Sequence, residues 1–268
     1  MIEAKQIREA AVVLRRDPGK YVSRLMTGIL LSSVDCELGQ VALTVYSSLK
    51  KVDDALDGER FDIKDPLGYA QDLSNQILSG HFSRENTKLK GAIAYLDERA
   101  TPKDSPRADF IASIDSMMFD FNRAKERRTL SKEELQQYYL ATFNPVNNLL
   151  LIGIGSTLRA SDIPEFALSQ GRIYSVRDIE FDWRHGVLNI PSEVLSIANL
   201  SSESSVEEVL GSSLVRNHLL TEVINGQEEV SRLEELIKAH GEKTTERVFK
   251  LMLRPMKKFS SKYTDNKA

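Results

Sequence analysis

Ser131-Lys-Glu-Glu134-Leu-Gln-Gln-Tyr-Tyr-Leu140-Ala-Thr-Phe-Asn-Pro145-Val-Asn-Asn-Leu-Leu150-Leu-Ile-Gly-Ile154 is the stretch on which the fold turns. A serine followed three residues later by glutamate is a capping box, so a helix opens at Lys132. Apolar residues then recur at three- and four-residue spacing, the period of a helix with one buried face. Pro145 falls inside that pattern and predicts a kink, because it lacks the N–H that the preceding turn needs. The run from Leu149 to Ile154 is the longest apolar one in the chain, far short of the roughly 20 residues of a membrane helix.

The same period continues on both sides. Glycine (14) and proline (8) are scarce in the 268 residues, and strand-like alternation is almost absent. Helices are expected near 20–56, 66–80, 86–98, 105–128, 132–158, 164–185, 191–198, 205–224, 227–240 and 243–260. Ser161-Asp162-Ile163-Pro164 offers a cap before a proline suited to a first helical turn. The breaks at 58–66, 99–106 and 200–205 are short and polar, unlike linkers, and no repeat is visible. The reading is a single all-α domain over 1–268 with buried central helices.

Composition narrows the function. A hydrophobic fraction of 41% beside 28% charged residues is globular. Lys and Arg (36) nearly balance Asp and Glu (39), which gives nucleic-acid binding no support. The one cysteine, Cys36, cannot form an internal disulfide; a small buried hydrophobe in a reducing compartment is expected. Met1 to Lys5 lack a secretory pattern, so the expected location is cytoplasmic. His81, His185, His218 and His240 lack metal-ligand spacing and read as surface or capping residues, and Phe181 and Trp183 as packing residues.

Two segments stand out. In Tyr46-Ser-Ser-Leu-Lys50-Lys51-Val-Asp53-Asp54-Ala-Leu-Asp57, Asp53 and Asp57 leave one helix face a turn apart. In Arg177-Asp178-Ile-Glu180-Phe-Asp182-Trp183-Arg184, Asp178 and Asp182 repeat the spacing. Like charges at i,i+4 destabilise a helix by a few tenths of a kcal/mol; something must offset that, and a bound cation is one candidate. Carboxylates without His or Cys suit Mg²⁺, which binds through one or two carboxylates plus substrate phosphates. Lys50 and Arg177 stand beside the pairs as phosphate ligands. Such a site draws charge off a leaving diphosphate.

This arrangement resembles the squalene/phytoene synthase family. Tyr46 to Asp57 is similar to its first aspartate-rich motif, and Arg177 through Gly186 to Pro191 to its second. Ile114 to Asp120 resembles the segment before the family's central helix, Glu134 to Tyr138 that helix's opening, and Glu246-Arg247-Val248-Phe249 a C-terminal stretch whose arginine binds diphosphate. The resemblance implies an isoprenoid synthase-type helical bundle around a central cavity. It implies Mg²⁺ held by Asp53, Asp57, Asp178 and Asp182, and a prenyl diphosphate held by Tyr46, Lys50, Arg177 and Arg247. The implied reaction joins two allylic diphosphates.

The chain departs from the pattern at several places. Tyr174 and Gly171 stand where the family carries Asn and Gln, and Phe181 where it carries Glu. Val187 and Asn189 replace an Arg and a Tyr, and Phe143-Asn144-Pro145-Val146-Asn147 replaces a segment of small residues. Two alternatives therefore stand beside condensation. One is a class I terpene synthase acting on a single prenyl diphosphate; the other is a non-catalytic homologue serving as an assembly factor. Arg254, Lys257, Lys258 and Lys262 offer a peripheral contact to an anionic membrane.

Overall fold

The structure is a computed structural model and describes residues 36–265. Among them every regular element is helical: α1 (Cys36–Leu56), α2 (Pro66–Ser79), α3 (Thr87–Arg99), α4 (Pro106–Glu126), α5 (Lys132–Gly153), α6 (Pro164–Arg184), α7 (Ser192–Ile197), α8 (Val206–Gly211), α9 (Ser213–His240) and α10 (Lys243–Asp265). The all-α expectation holds. The part of the first expected helix before residue 36 lies outside the described residues.

Local chemistry sets most of the boundaries. Ser131 accepts from the Glu134 N–H while Glu134 accepts from the Ser131 N–H, so the expected capping box forms. Asp65 and Ser105 cap α2 and α4, each just before a proline at the first helical position. α6 also opens on a proline, Pro164, but the expected cap is not made. Asp162 instead accepts from the Arg159 N–H at 2.8 Å, closing a 3₁₀ turn before the helix begins. The expected break near residue 225 is likewise absent. α8 ends at Gly211, Ser212 caps a new helix, and α9 runs unbroken through Gly226. A Cβ at Gly226 would lie 2.8 Å from Ile173 Cγ1, so the glycine is a notch that admits α6. α5 runs through Pro145.

The buried apolar residues form three main groups. Val52, Ile77, Phe110, Ile114 and Ile152 belong to the first, built from α1 to α5. Trp183, Leu188, Val209, Val215 and Val223 represent the second, where the end of α6 meets α7 to α9. Leu151, Phe166, Ile173, Leu233 and Phe249 represent the third, between α5, α6, α9 and α10. Each such side chain contributes about 1.5–3 kcal/mol on burial. Ile154 and Met252 pack against both the first group and the third. α6 supplies both the second and the third, so it is held rigidly on two sides.

Candidate active site

Tyr46, Lys50 and Asp53 recur on one face of α1 at i, i+4 and i+7, and Gln170, Tyr174 and Arg177 do the same on α6. Both rows line one cavity of about 360 Å³, near the lower end for ligand pockets. α5 closes it with Phe143, Val146 and Asn147, and α10 with Met252 and Pro255. The charged lining comes from the C-terminal halves of α1 and α6. The N-terminal half of α1 gives the apolar Leu38, Val41 and Val45. Asn147 donates to Gln170 Oε1 at 2.8 Å, a buried bond that ties α5 to α6 at the wall.

The bases in this cavity are already paired with carboxylates. Lys50 Nζ lies 2.6 Å from Asp53 Oδ2 and 2.7 Å from Asp54 Oδ1. Burial alone would lower the Lys50 pKa, but the two carboxylates outweigh it and hold the ammonium well above its usual range. Arg177 donates to both oxygens of Asp178, at 2.9 and 2.6 Å. Burial opposes the Arg177 charge, and Asp178, with help from Asp182, more than restores it. The guanidinium also lies 4.3 Å from the centre of the Tyr174 ring, whose own neighbour is Phe143 at 6.1 Å.

The expected site residues divide by location. Tyr46, Lys50, Asp53 and Arg177 line the cavity, while Asp57, Asp178, Asp182 and Arg247 do not. Asp178 is adjacent through Arg177. Asp57 is exposed just beyond α1, where its N–H still donates to the Asp53 carbonyl at 2.8 Å. Asp182 is half-buried and accepts from Asn189 Nδ2 at 3.3 Å. Arg247 is exposed on α10. Among the described residues no three acidic, His or Cys side chains stand close enough to hold a metal by themselves. The oxygen-only donors still fit Mg²⁺, which takes much of its coordination from water and phosphate.

Other expectations meet corrections. Cys36 is exposed rather than buried, and the buried residues of α1 begin at Leu38. Trp183 is buried and donates to the Ser204 carbonyl at 2.9 Å, but Phe181 is 52% exposed and stacks on His185.

Spacing along the chain did not reveal Asp120, Arg123, Tyr138 and Asn189 as one polar cluster. Tyr138 donates to Asp120 Oδ2 at 2.7 Å, and Arg123 Nη2 donates to Asp120 Oδ1 at 3.0 Å and to Asn189 Oδ1 at 2.9 Å. Burial raises the Asp120 pKa, and the like charge of Asp53 raises it further. The i,i+3 spacing of Asp120 and Arg123 was the visible signal. Their partner Asn189 lies in a loop after α6, which no local pattern connects to α4.

A family model described as squalene/phytoene synthase matches residues 35–257, most of the chain. The chain belongs to the squalene/phytoene synthase family. This is an all-α isoprenoid synthase family whose members transfer prenyl groups from prenyl diphosphates, typically with a divalent metal. Neither the curated proteins nor the solved structures give a match.

Proposed function

We propose that this chain is a Mg²⁺-dependent prenyl transferase that ionises an allylic prenyl diphosphate and condenses the cation with a second one. The observation that carries this reading is the cavity itself. Lys50, Asp53 and Arg177 stand on its lining, and the remaining walls are largely apolar. A diphosphate with a hydrocarbon tail has this division of character.

Lys50 and Arg177 are paired with carboxylates assigned to the metal. An arriving diphosphate competes for both bases, which turn to its oxygens and release Asp53 and Asp178. Asp53 and Asp57 on one side, and Asp178 and Asp182 on the other, would hold Mg²⁺, which would supply stabilisation of negative charge on the departing diphosphate. Tyr46 supplies a further hydrogen bond. Arg247, like Asp57, Asp178 and Asp182, does not line this cavity; Lys50 and Arg177, which do, are assigned as the first ligands of the diphosphate. The C–O bond breaks with its electron pair leaving on the diphosphate. The resulting cation sits among apolar walls beside the Tyr174 ring, whose face favours positive charge, while Phe143 bounds the space for the hydrocarbon. Attack by the C2–C3 double bond of the second chain then forms the new bond and moves the positive charge onto that chain, which becomes neutral by giving up a proton to the released diphosphate.

A second reading, one substrate ionised and then cyclised or quenched, is favoured by the same two rings. Phe143 and Tyr174 stand on the cavity wall where the family pattern has smaller or amide side chains. The test is incubation with farnesyl and geranylgeranyl diphosphates plus Mg²⁺, with mass spectrometry of the organic extract. Products with twice the carbon count support condensation, and products with one chain's carbon count support the second reading. Absence of Mg²⁺-dependent diphosphate release from either substrate would overturn both and favour a non-catalytic family member.

A membrane contact belongs to the same proposal. Lys243, Arg247, Lys250, Arg254, Lys257 and Lys258 are exposed along one side of α10, opposite buried Val248, Phe249 and Met256. Met252 and Pro255 of that helix also line the cavity, placing a basic surface beside the route of an apolar product. Among the described residues no helix is long and apolar enough to cross a membrane.

A further inference from the structure

Arg123 is a cation on α4 with a side chain only 1% exposed, and it touches neither of the expected aspartate pairs directly. Its one bonded nitrogen, Nη2, serves Asp120 at 3.0 Å and Asn189 at 2.9 Å, while Nε and Nη1 make no hydrogen bond. The guanidinium lies 4.5 Å from the centre of the Tyr138 ring, and Tyr138 holds the other Asp120 oxygen. Asn189 in turn donates to Asp182 at 3.3 Å. A line of polar contacts thus runs from Tyr138 and Asp120, through Arg123 and Asn189, to Asp182 of the second aspartate pair.

The backbone is shaped to close this line. Gly186 has φ +85°, and a Cβ there would collide with the Ala124 carbonyl. The chain leaving α6 therefore presses on α4 one residue past Arg123, which brings Asn189 over the guanidinium. Arg127 ties the end of α4 to the end of α6 by donating to the Trp183 carbonyl at 3.5 Å, and to the loop after α7 by donating to the Ser202 carbonyl at 2.8 Å. Burying a guanidinium is expensive unless its contacts return the cost, and hydrophobic packing alone would have served stability at least as well.

We propose that Arg123, anchored by Asp120, is a positioning residue that through Asn189 holds Asp182 of the second aspartate pair in its working orientation. The proposal rests on the prenyl-transfer reading, since it assigns Arg123 a role toward that reaction's metal. Residues that orient metal ligands from behind typically change metal affinity or activity by about 10–100-fold when removed.

The experiment compares wild type, Arg123→Met, Arg123→Lys and Asn189→Ala. The fluorescence of Trp183, the only tryptophan in the chain, follows Mg²⁺ titrations in inorganic pyrophosphate without prenyl substrate. Circular dichroism confirms folding, and steady-state release of diphosphate from farnesyl diphosphate gives kcat and KM. Arg123→Met is expected to weaken the Mg²⁺ response at least about tenfold and to lower kcat with little change in KM for the prenyl substrate. Asn189→Ala should move both readouts the same way, and Arg123→Lys should recover part of the loss. If Arg123→Met does not fold, Asn189→Ala, which leaves the Asp120–Arg123 pair in place, decides alone. Folded variants with wild-type Mg²⁺ response and kcat would overturn the positioning role while leaving the prenyl-transfer reading intact. A wild type with neither Mg²⁺-dependent pyrophosphate binding nor diphosphate release would overturn both.

Discussion

Gly171 on α6 packs against the ring of Tyr139 on α5 with no room for a Cβ between them. Tyr139 is buried, and its hydroxyl accepts from Ser175 Oγ at 3.1 Å, one turn further along α6. The family pattern carries an amide side chain at position 171, and Tyr139 occupies the space it needs. Loss of that amide is thus coupled to how the two helices approach. Gly171→Ala should cost about 1–3 kcal/mol by overpacking. Combined with Tyr139→Ala, the loss should fall short of the sum of the two single changes, because the collision is gone. Denaturant melts of the four proteins check this, and additive losses would contradict the packing account.

The metal assignment is tested at its two ends. Asp53→Asn or Asp178→Asn should each lower diphosphate release about a hundredfold or more, the scale of one lost electrostatic stabiliser. Lys50 keeps Asp54 as a partner at 2.7 Å when Asp53 is neutralised, so the fold should survive. Wild-type turnover in either variant would remove that aspartate from the site.

Phe143 decides how much hydrocarbon the cavity takes. Its ring stands on the lining beside Tyr174. Phe143→Ala should therefore shift product toward longer or second chains, with diphosphate release held within about threefold, because the charged end is untouched. Unchanged products beside a stability loss of about 3–5 kcal/mol would show a ring acting only as packing.

Asp109 gives the fold a pH dependence of unusual sign. Burial raises its pKa to about 6, only partly opposed by the hydrogen bond from Asn148 Nδ2 at 3.3 Å. The folded chain holds this proton more tightly than the unfolded one. The neutral form therefore stabilises the fold at low pH, and that contribution is lost as pH rises through 6. Asp109→Asn should raise stability by about 1–2 kcal/mol at pH 7, from roughly 1.4 kcal/mol per pKa unit discounted for partial exposure. The gain should vanish near pH 4. Melting curves at the two pH values measure it, and an equal gain at both would exclude the titration as its cause.

The helices were legible because their signals are local. A period of three to four residues and the Ser131–Glu134 capping box need only neighbouring sequence, and both are present as read. Misreadings arose where two local options compete. Asp162 chose the Arg159 N–H over the start of α6, and the glycine at 226 marks a packing notch rather than a helix end. Spacing likewise put Tyr46, Lys50 and Asp53 on one helical face, as it did Tyr174 and Arg177.

What spacing cannot supply is the direction in which a face points or what lies opposite it. Those depend on how helices far apart in the chain pack together. Only the tertiary structure sets Arg247 outside the cavity, turns Asp178 onto Arg177, and links Asp120, Arg123 and Asn189 to Asp182 of the second pair. The sequence by itself determined an all-helical chain carrying two carboxylate pairs with adjacent bases. The close approach of α4 to the loop after α6, where Gly186 meets Ala124, decided that Asn189 links Arg123 to Asp182 of the second pair.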